Sequence, residues 1–208
     1  MYQTYNYPDA ETLNPKLYNA LFSNLPIRKE KERIYSPDKK HDQSDGEGHF
    51  LISPRNLHTR GIKEVDTILQ WIGNLVPLVA HKYSNPNPIE YKYEDYLPLS
   101  DNGGGKYNFN IDAFKLVHCW SVFYNKGDCV EKHNHFPYSL SFCYYINTPE
   151  GSSPLIVDNE VVNVKEGQIV FFPSNTFHSV PISDIDGRCG IAGNIMYLDT
   201  YIDLNYNK

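Results

Sequence analysis

No stretch of the 208-residue chain approaches the roughly 20 consecutive apolar residues that a membrane-spanning helix needs. The opening residues Met1-Tyr-Gln-Thr-Tyr5 lack the basic and apolar regions of a secretory signal, which sets the expectation of a cytoplasmic protein. Cysteine is sparse: Cys119, Cys129, Cys143 and Cys189 show no CxxC spacing, which argues against a zinc knuckle and predicts free thiols. Positive charge is outnumbered, 19 Lys and Arg against 25 Asp and Glu, and the net charge of -6 argues against a nucleic-acid partner. The glycine run Asn102-Gly-Gly-Gly105 lacks the trailing Lys-Ser/Thr of a phosphate-binding loop and reads as a turn. No internal repeat is present.

What the chain does contain is aromatic residues, 17 Tyr and 10 Phe, which suit β-structure. The length fits a single domain, residues 1–208, long enough for a real core. Residues 1–112 read as a helical and loop-rich part, and 113–200 as the core. Asn14-Pro15 ahead of Lys-Leu-Tyr-Asn-Ala-Leu-Phe22 predicts a short capped helix with Pro in its first turn, burying Leu17, Leu21 and Phe22 and stopped by Pro26. Residues 28–48 are charged and rich in Gly, Asp and Ser, an exposed loop. Val65, Ile68, Leu69, Ile72, Leu75, Val76 and Val79 recur at steps of three and four, so 62–82 is an amphipathic helix that covers a sheet. Pro77 is expected to kink or shorten it. Residues 83–110, rich in Pro, Asn, Tyr and Gly, predict a long loop or irregular hairpin.

From Phe114 the pattern changes to short β-prone runs at 114–124, 139–146, 154–157, 161–164, 168–172, 178–180 and 189–197, separated by turn residues. Helices first and strands second define an α+β class, here with a double-stranded β-helix (jelly-roll, cupin-like) core and N-terminal covering helices. Two segments of this core carry chemistry. Gly127-Asp-Cys-Val-Glu-Lys-His133-Asn-His135 places two imidazoles at i and i+2, on one side of a strand. Gly167-Gln-Ile-Val-Phe-Phe-Pro173-Ser-Asn-Thr-Phe-His178 brings a third histidine after a later strand. Three histidines with an open coordination position suit a catalytic divalent iron, zinc or copper ion. The spacing is close to that of cupins, a pattern shared by metal enzymes, sugar-binding proteins and structural barrels.

Ten residues past His178 stands Arg188, in Asp184-Ile-Asp-Gly-Arg188-Cys-Gly-Ile-Ala-Gly-Asn194. An arginine near the inner end of that strand can clamp a carboxylate bidentately. With Trp120, Gly127, His133, His135, Ser141, Tyr144, Tyr145, Glu166-Gly167, Phe172-Pro173-Ser174, His178, Val180-Pro181, Ile191-Ala192 and Asn194 in order around it, residues 115–197 resemble the Fe(II)/2-oxoglutarate oxygenases common in marine cyanobacterial phages.

The resemblance implies an Fe(II)- and 2-oxoglutarate-dependent dioxygenase, a hydroxylase that consumes O2 and releases succinate and CO2, working in the host cytoplasm if phage-encoded. His133, His135 and His178 would hold the iron, with no catalytic side chain beyond these ligands. Arg188 would pair with the far carboxylate of 2-oxoglutarate. Tyr144 or Tyr145 would hydrogen-bond it, since strand alternation sends only one of them inward. Ser141 and Asn194 are further candidates at the same pocket, with packing as the competing reading, as it is for Trp120 and His118. Better-studied oxygenases of this chemistry carry Asp or Glu where His135 stands, so Glu131 and Asp128 are weighed as carboxylate donors. Phe142 stands where the phage family has Gly, Gly190 where it has Ser, and Gly193 where it has Phe, which predicts a reshaped pocket. The substrate could be a protein side chain, a small metabolite or a modified nucleobase. Two alternatives stand beside this reading, a cupin-like metal enzyme without 2-oxoglutarate and a non-catalytic binding barrel.

Overall fold

The computed structural model describes residues 2–24, 51–84 and 114–197. The expected loops at 28–48 and 83–110 lie outside these residues, apart from Tyr83 and Ser84. The elements in chain order are β1 (Gln3–Asn6), α1 (Ala10–Asn24), β2 (Leu51–Ile52), a 3-10 turn (Leu57–Thr59), α2 (Lys63–Ser84), β3 (Phe114–Tyr124), β4 (Val130–His133), β5 (Leu140–Asn147), β6 (Leu155–Val157), β7 (Glu160–Val162), β8 (Gln168–Pro173), β9 (His178–Val180) and β10 (Arg188–Tyr197). They form a six-stranded sheet ordered β1-β8-β5-β10-β3-β2 and a four-stranded sheet ordered β4-β9-β6-β7. Every strand pairing in both sheets is antiparallel.

Strand alternation divides the large sheet into two faces. On β3, Cys119 and Phe123 join a core with the helices, whereas Trp120, Val122 and Tyr124 join a second core between the sheets. On β5, Leu140, Phe142, Tyr144 and Ile146 face the helices, and Tyr145 faces the other sheet. Val65, Ile68, Ile72, Leu75, Val76 and Val79 of α2 are buried against the first core, each contributing about 1.5–3 kcal/mol. The α2 periodicity is as the sequence implies. Pro77 is buried inside a helix that continues to Ser84, although it has no N–H to donate to the Gly73 carbonyl. The apolar face on both sides of Pro77 keeps that last turn packed.

The first helix departs from expectation. It begins at Ala10, so Pro15 is inside it and not in its first turn. The earlier start has a physical basis, because the Asp9 carbonyl accepts from the Leu13 amide and Glu11 places negative charge in the first turn. Leu13, Leu17 and Leu21 form its buried edge. β1 has no counterpart in the sequence reading. It pairs with β8, Gln3 opposite Phe171 and Asn6 opposite Gln168, and the Tyr7 amide then bonds the Gly167 carbonyl at 2.8 Å. Only glycine fits at 167, where φ is +76° and a Cβ would stand 2.5 Å from that of Ala10. That close approach accounts for the Glu166-Gly167 turn and lets α1 cross the end of the large sheet.

Candidate active site

The three histidines converge at one mouth of the space between the sheets. His133 ends β4, His178 begins β9, and the two are register partners. His135 lies two residues beyond β4, not on the strand as the i, i+2 reading has it. It is held by its amide to the Ser174 carbonyl (2.7 Å) and its carbonyl to the Tyr138 amide (3.0 Å). One potential ligand atom from each of the three side chains lies within 4.8 Å of the others. Ring centroids are 4.9 Å apart for His133 and His135, 4.3 Å for His133 and His178, and 4.9 Å for His135 and His178.

The tautomers are set by carbonyls. His133 Nδ1 lies 2.8 Å from the Glu131 carbonyl and His178 Nδ1 lies 3.2 Å from the Thr176 carbonyl. A carbonyl can only accept, so each Nδ1 carries a proton, and in the neutral ring Nε2 is then the metal-binding nitrogen. His178, only 7% exposed, has its pKa pushed down to about 3 by burial and by neighbouring His133. Burial also holds His135 well below the usual histidine value, reinforced by His178, His133, Arg55 and His118. Converging imidazoles, with His135 and His178 held neutral, are the donor set a divalent transition metal takes. The carboxylates weighed beside them do not join. Asp128 Oδ2 accepts from the Asn125 amide at 2.7 Å, and Glu131 is exposed and offers only its carbonyl to His133.

Deeper in the same layer lies Arg188, 2% exposed. Its guanidinium carbon stands 4.6 Å from the centre of the Tyr124 ring and 5.2 Å from that of Tyr145. Such cation–π contacts offset part of the desolvation cost, on the order of 2 kcal/mol or more where water is excluded. Burial works against its charge, but Tyr145 and Tyr124 more than offset it and hold its pKa above the ordinary value. Nε and Nη1 of Arg188 and the Tyr145 hydroxyl are nonetheless buried without a hydrogen-bond partner. Buried guanidinium donors left without an acceptor call for one, which an oxyanion such as a carboxylate would supply.

Tyr144 is a correction to the candidate set. Alternation sends it to the helix side, where its hydroxyl donates to Asn14 Oδ1 at 2.6 Å. Tyr145 is the inward one. Ser141 and Asn194 are both buried, with Ser141 Oγ 2.7 Å from Ser174 Oγ and 2.9 Å from Asn194 Oδ1. Trp120 packs edge-on against His135, with centroids 5.9 Å apart. His118 pairs through Nδ1 with the Tyr138 hydroxyl at 2.9 Å. Phe142 and Gly193 face the helices, not the pocket; Gly190 lies where β10 slips register, opposite Tyr145. Two residues escaped the sequence reading. Tyr124 could have been found from its alternation with Trp120, whereas Arg55 carries no motif and comes close only through the fold.

No protein-family model matches the sequence, and no curated protein does. Solved structures match over nearly the whole chain. A prolyl-4-hydroxylase from Pseudomonas putida has a TM-score of 0.58 at 14% identity, covering 94% of this chain and 91% of that one. A viral collagen prolyl hydroxylase from Paramecium Bursaria Chlorella virus-1, solved as a 2OG complex, has a TM-score of 0.55 at 11% identity, covering 93% and 94%. A 2OG-Fe(II) oxygenase family oxidoreductase from Burkholderia pseudomallei has a TM-score of 0.54 at 12% identity, covering 94% and 84%. At such identities the likeness establishes architecture, and the chain has the α+β, double-stranded β-helix fold in which these 2-oxoglutarate oxygenases are built.

Proposed function

We propose that this protein is an Fe(II)- and 2-oxoglutarate-dependent oxygenase. One observation carries the reading: three converging imidazoles and a buried guanidinium with orphaned donors share the interior of one barrel. In this reading His133, His135 and His178 hold the metal through three nitrogens and leave its remaining positions open. Bound iron(II) with 2-oxoglutarate and O2 supplies hydroxylation of a C–H bond, with release of succinate and CO2. The chain's part is to bind, orient and keep water out. Arg188 receives the distal carboxylate, Tyr145 donates its hydroxyl to the same end, and Tyr124 backs the guanidinium. Ser141 and Asn194 hold each other in place at the histidine end, where Ser141 also meets Ser174, whose carbonyl holds the His135 amide. The inter-sheet core of Val122, Val157, Val170 and Phe172 keeps the pocket dry. Kinship with the marine cyanophage oxygenases and a cytoplasmic setting belong to this reading. No helix among the described residues is long and apolar enough to cross a membrane.

The all-imidazole donor set is the one observation favouring a cupin-like metal enzyme that does not use 2-oxoglutarate, and the buried Arg188 with two unpartnered nitrogens weighs against it. Incubating the full chain with Fe(II), ascorbate, O2 and 2-oxoglutarate separates the two. The oxygenase converts 2-oxoglutarate to succinate and CO2, slowly even without the primary substrate. A protein that binds Fe(II) but yields no succinate above the no-protein control across candidate substrates is the cupin-like alternative.

A further inference from the structure

A second arginine stands near the histidines, on the outer side. Arg55 belongs to the segment between β2 and the 3-10 turn, and its guanidinium carbon lies 5.6 Å from the centre of the Trp120 ring. Trp120 in turn packs on His135, with ring centroids 5.9 Å apart. The geometry points to Arg55 as the residue that receives an oxyanion, a carboxylate or a phosphate, on the primary substrate, seating that substrate over Trp120 beside the three histidines. This inference rests on the oxygenase reading for what happens at those histidines.

The placement of Arg55 is built, not incidental. The Ser53 amide bonds the Ser121 carbonyl at 3.1 Å, the Ser121 amide bonds Ser53 Oγ at 2.9 Å, and the Cys119 amide bonds the Arg55 carbonyl at 2.9 Å. Asn56 forms a parallel bridge with Cys119. The backbone on both sides of Arg55 is thus clamped to the strand that carries Trp120, and Pro54 stiffens the approach. Among the described residues no carboxylate is paired with the Arg55 guanidinium, and the residue is exposed. A guanidinium held on an aromatic face presents a pre-organised planar fork to an oxyanion. Arg188, enclosed between Tyr124 and Tyr145, is committed to the other end of the pocket, so the two cations address different ligands. Near Trp120 and His135, His118 and Tyr138 add a polar pair against which the rest of the substrate can register.

The test uses the full chain loaded with Mn(II) and 2-oxoglutarate. It is titrated with benzoate, phenyl phosphate and other small carboxylates and phosphate monoesters, each beside its neutral amide or alcohol counterpart. Enhanced relaxation of probe protons by Mn(II) reports only probes seated near the metal. Calorimetry with the same probes on metal-free protein reads the anion preference independently. The expected result is anions favoured by about ten-fold over their neutral counterparts, with the preference lost in Arg55→Gln and partly kept in Arg55→Lys. 2-Oxoglutarate affinity should change less than about two-fold. The two anion classes are told apart by which of the paired sets keeps the larger preference. Anions bound no better than neutral probes, or a preference that survives Arg55→Gln, overturns the proposal. So does a collapse of 2-oxoglutarate affinity in Arg55→Gln, which would give Arg55 to the cosubstrate. If wild type takes up neither Mn(II) nor 2-oxoglutarate, the oxygenase reading fails, while calorimetry still decides whether Arg55 selects an anion.

Discussion

Phe142 and Gly193 face one another across β5 and β10, and the ring of the first fills the space a side chain at the second would need. A Cβ added at 193 would lie 2.5 Å from Cζ of Phe142 and 2.6 Å from its Cε1. The oxygenase motif that residues 115–197 resemble carries the reverse arrangement, Gly at the first position and Phe at the second. Set against that motif, the two positions read as one exchange of volume between neighbouring strands, on the helix side of the sheet.

That exchange predicts strong coupling in unfolding experiments. Phe142→Gly should cost about 3–5 kcal/mol or more by leaving a cavity, and Gly193→Phe about 1–3 kcal/mol or more by overpacking. The double variant Phe142→Gly with Gly193→Phe should be more stable than the sum of the two single changes at those sites implies. Urea midpoints for the cycle check this, and simple additivity would show that the two positions do not compensate.

Metal binding should follow the histidines and ignore the nearby acids. Anaerobic Fe(II) titration is expected to give about one ion per chain, lost in His133→Ala and His178→Ala and weakened in His135→Ala. Glu131→Ala should bind normally, because only the backbone carbonyl of that residue serves His133. His135→Asp supplies the carboxylate that better-studied oxygenases carry there and should retain the metal. Uptake unchanged in both His133→Ala and His178→Ala would end the ligand assignment.

At the other end of the pocket, Arg188→Ala should weaken 2-oxoglutarate binding to the Mn(II) form by about 2–5 kcal/mol, the range for leaving a buried charge unpaired. Arg188→Lys should recover part of this, since an ammonium lacks the planar fork. Tyr145→Phe should weaken 2-oxoglutarate by about 1 kcal/mol. Tyr144→Phe should leave it unchanged while lowering stability by a similar amount, through the lost bond to Asn14. Equal effects of the two tyrosines on affinity would contradict the facing of β5.

The metal-free protein should lose stability in mild acid. His178 has its pKa lowered from 6.5 to about 3, so at pH values between these the unfolded chain binds a proton the folded chain refuses. Its contribution is complete above about 6.5 and is lost as pH falls toward 3, and His135 acts in the same direction. Melting temperature should therefore decline from pH 7 to 5, more steeply than in His178→Gln. A flat profile in the wild type would show that the histidines are not held neutral.

Local pattern sufficed for much of this protein. The 3.6-residue period of 62–82 marks α2 because one apolar stripe must be buried. Period-two alternation and turn residues mark β3, β5, β8, β9 and β10, and the order of histidines and arginine along them points to the barrel and its chemistry. What depends on packing was not legible. β1 is a polar edge strand defined by its partner β8, and α1 starts early because Asp9 and Glu11 open it. Pro77 stays helical because its neighbours are buried. Alternation alone states that one of Tyr144 and Tyr145 faces inward, but only the side on which the helices pack decides which. Arg55 lies more than sixty positions from Trp120, and no pattern in sequence encodes a contact made by folding a distant segment onto β3. Periodicity is a property of neighbours in the chain; a pocket is a property of neighbours in space.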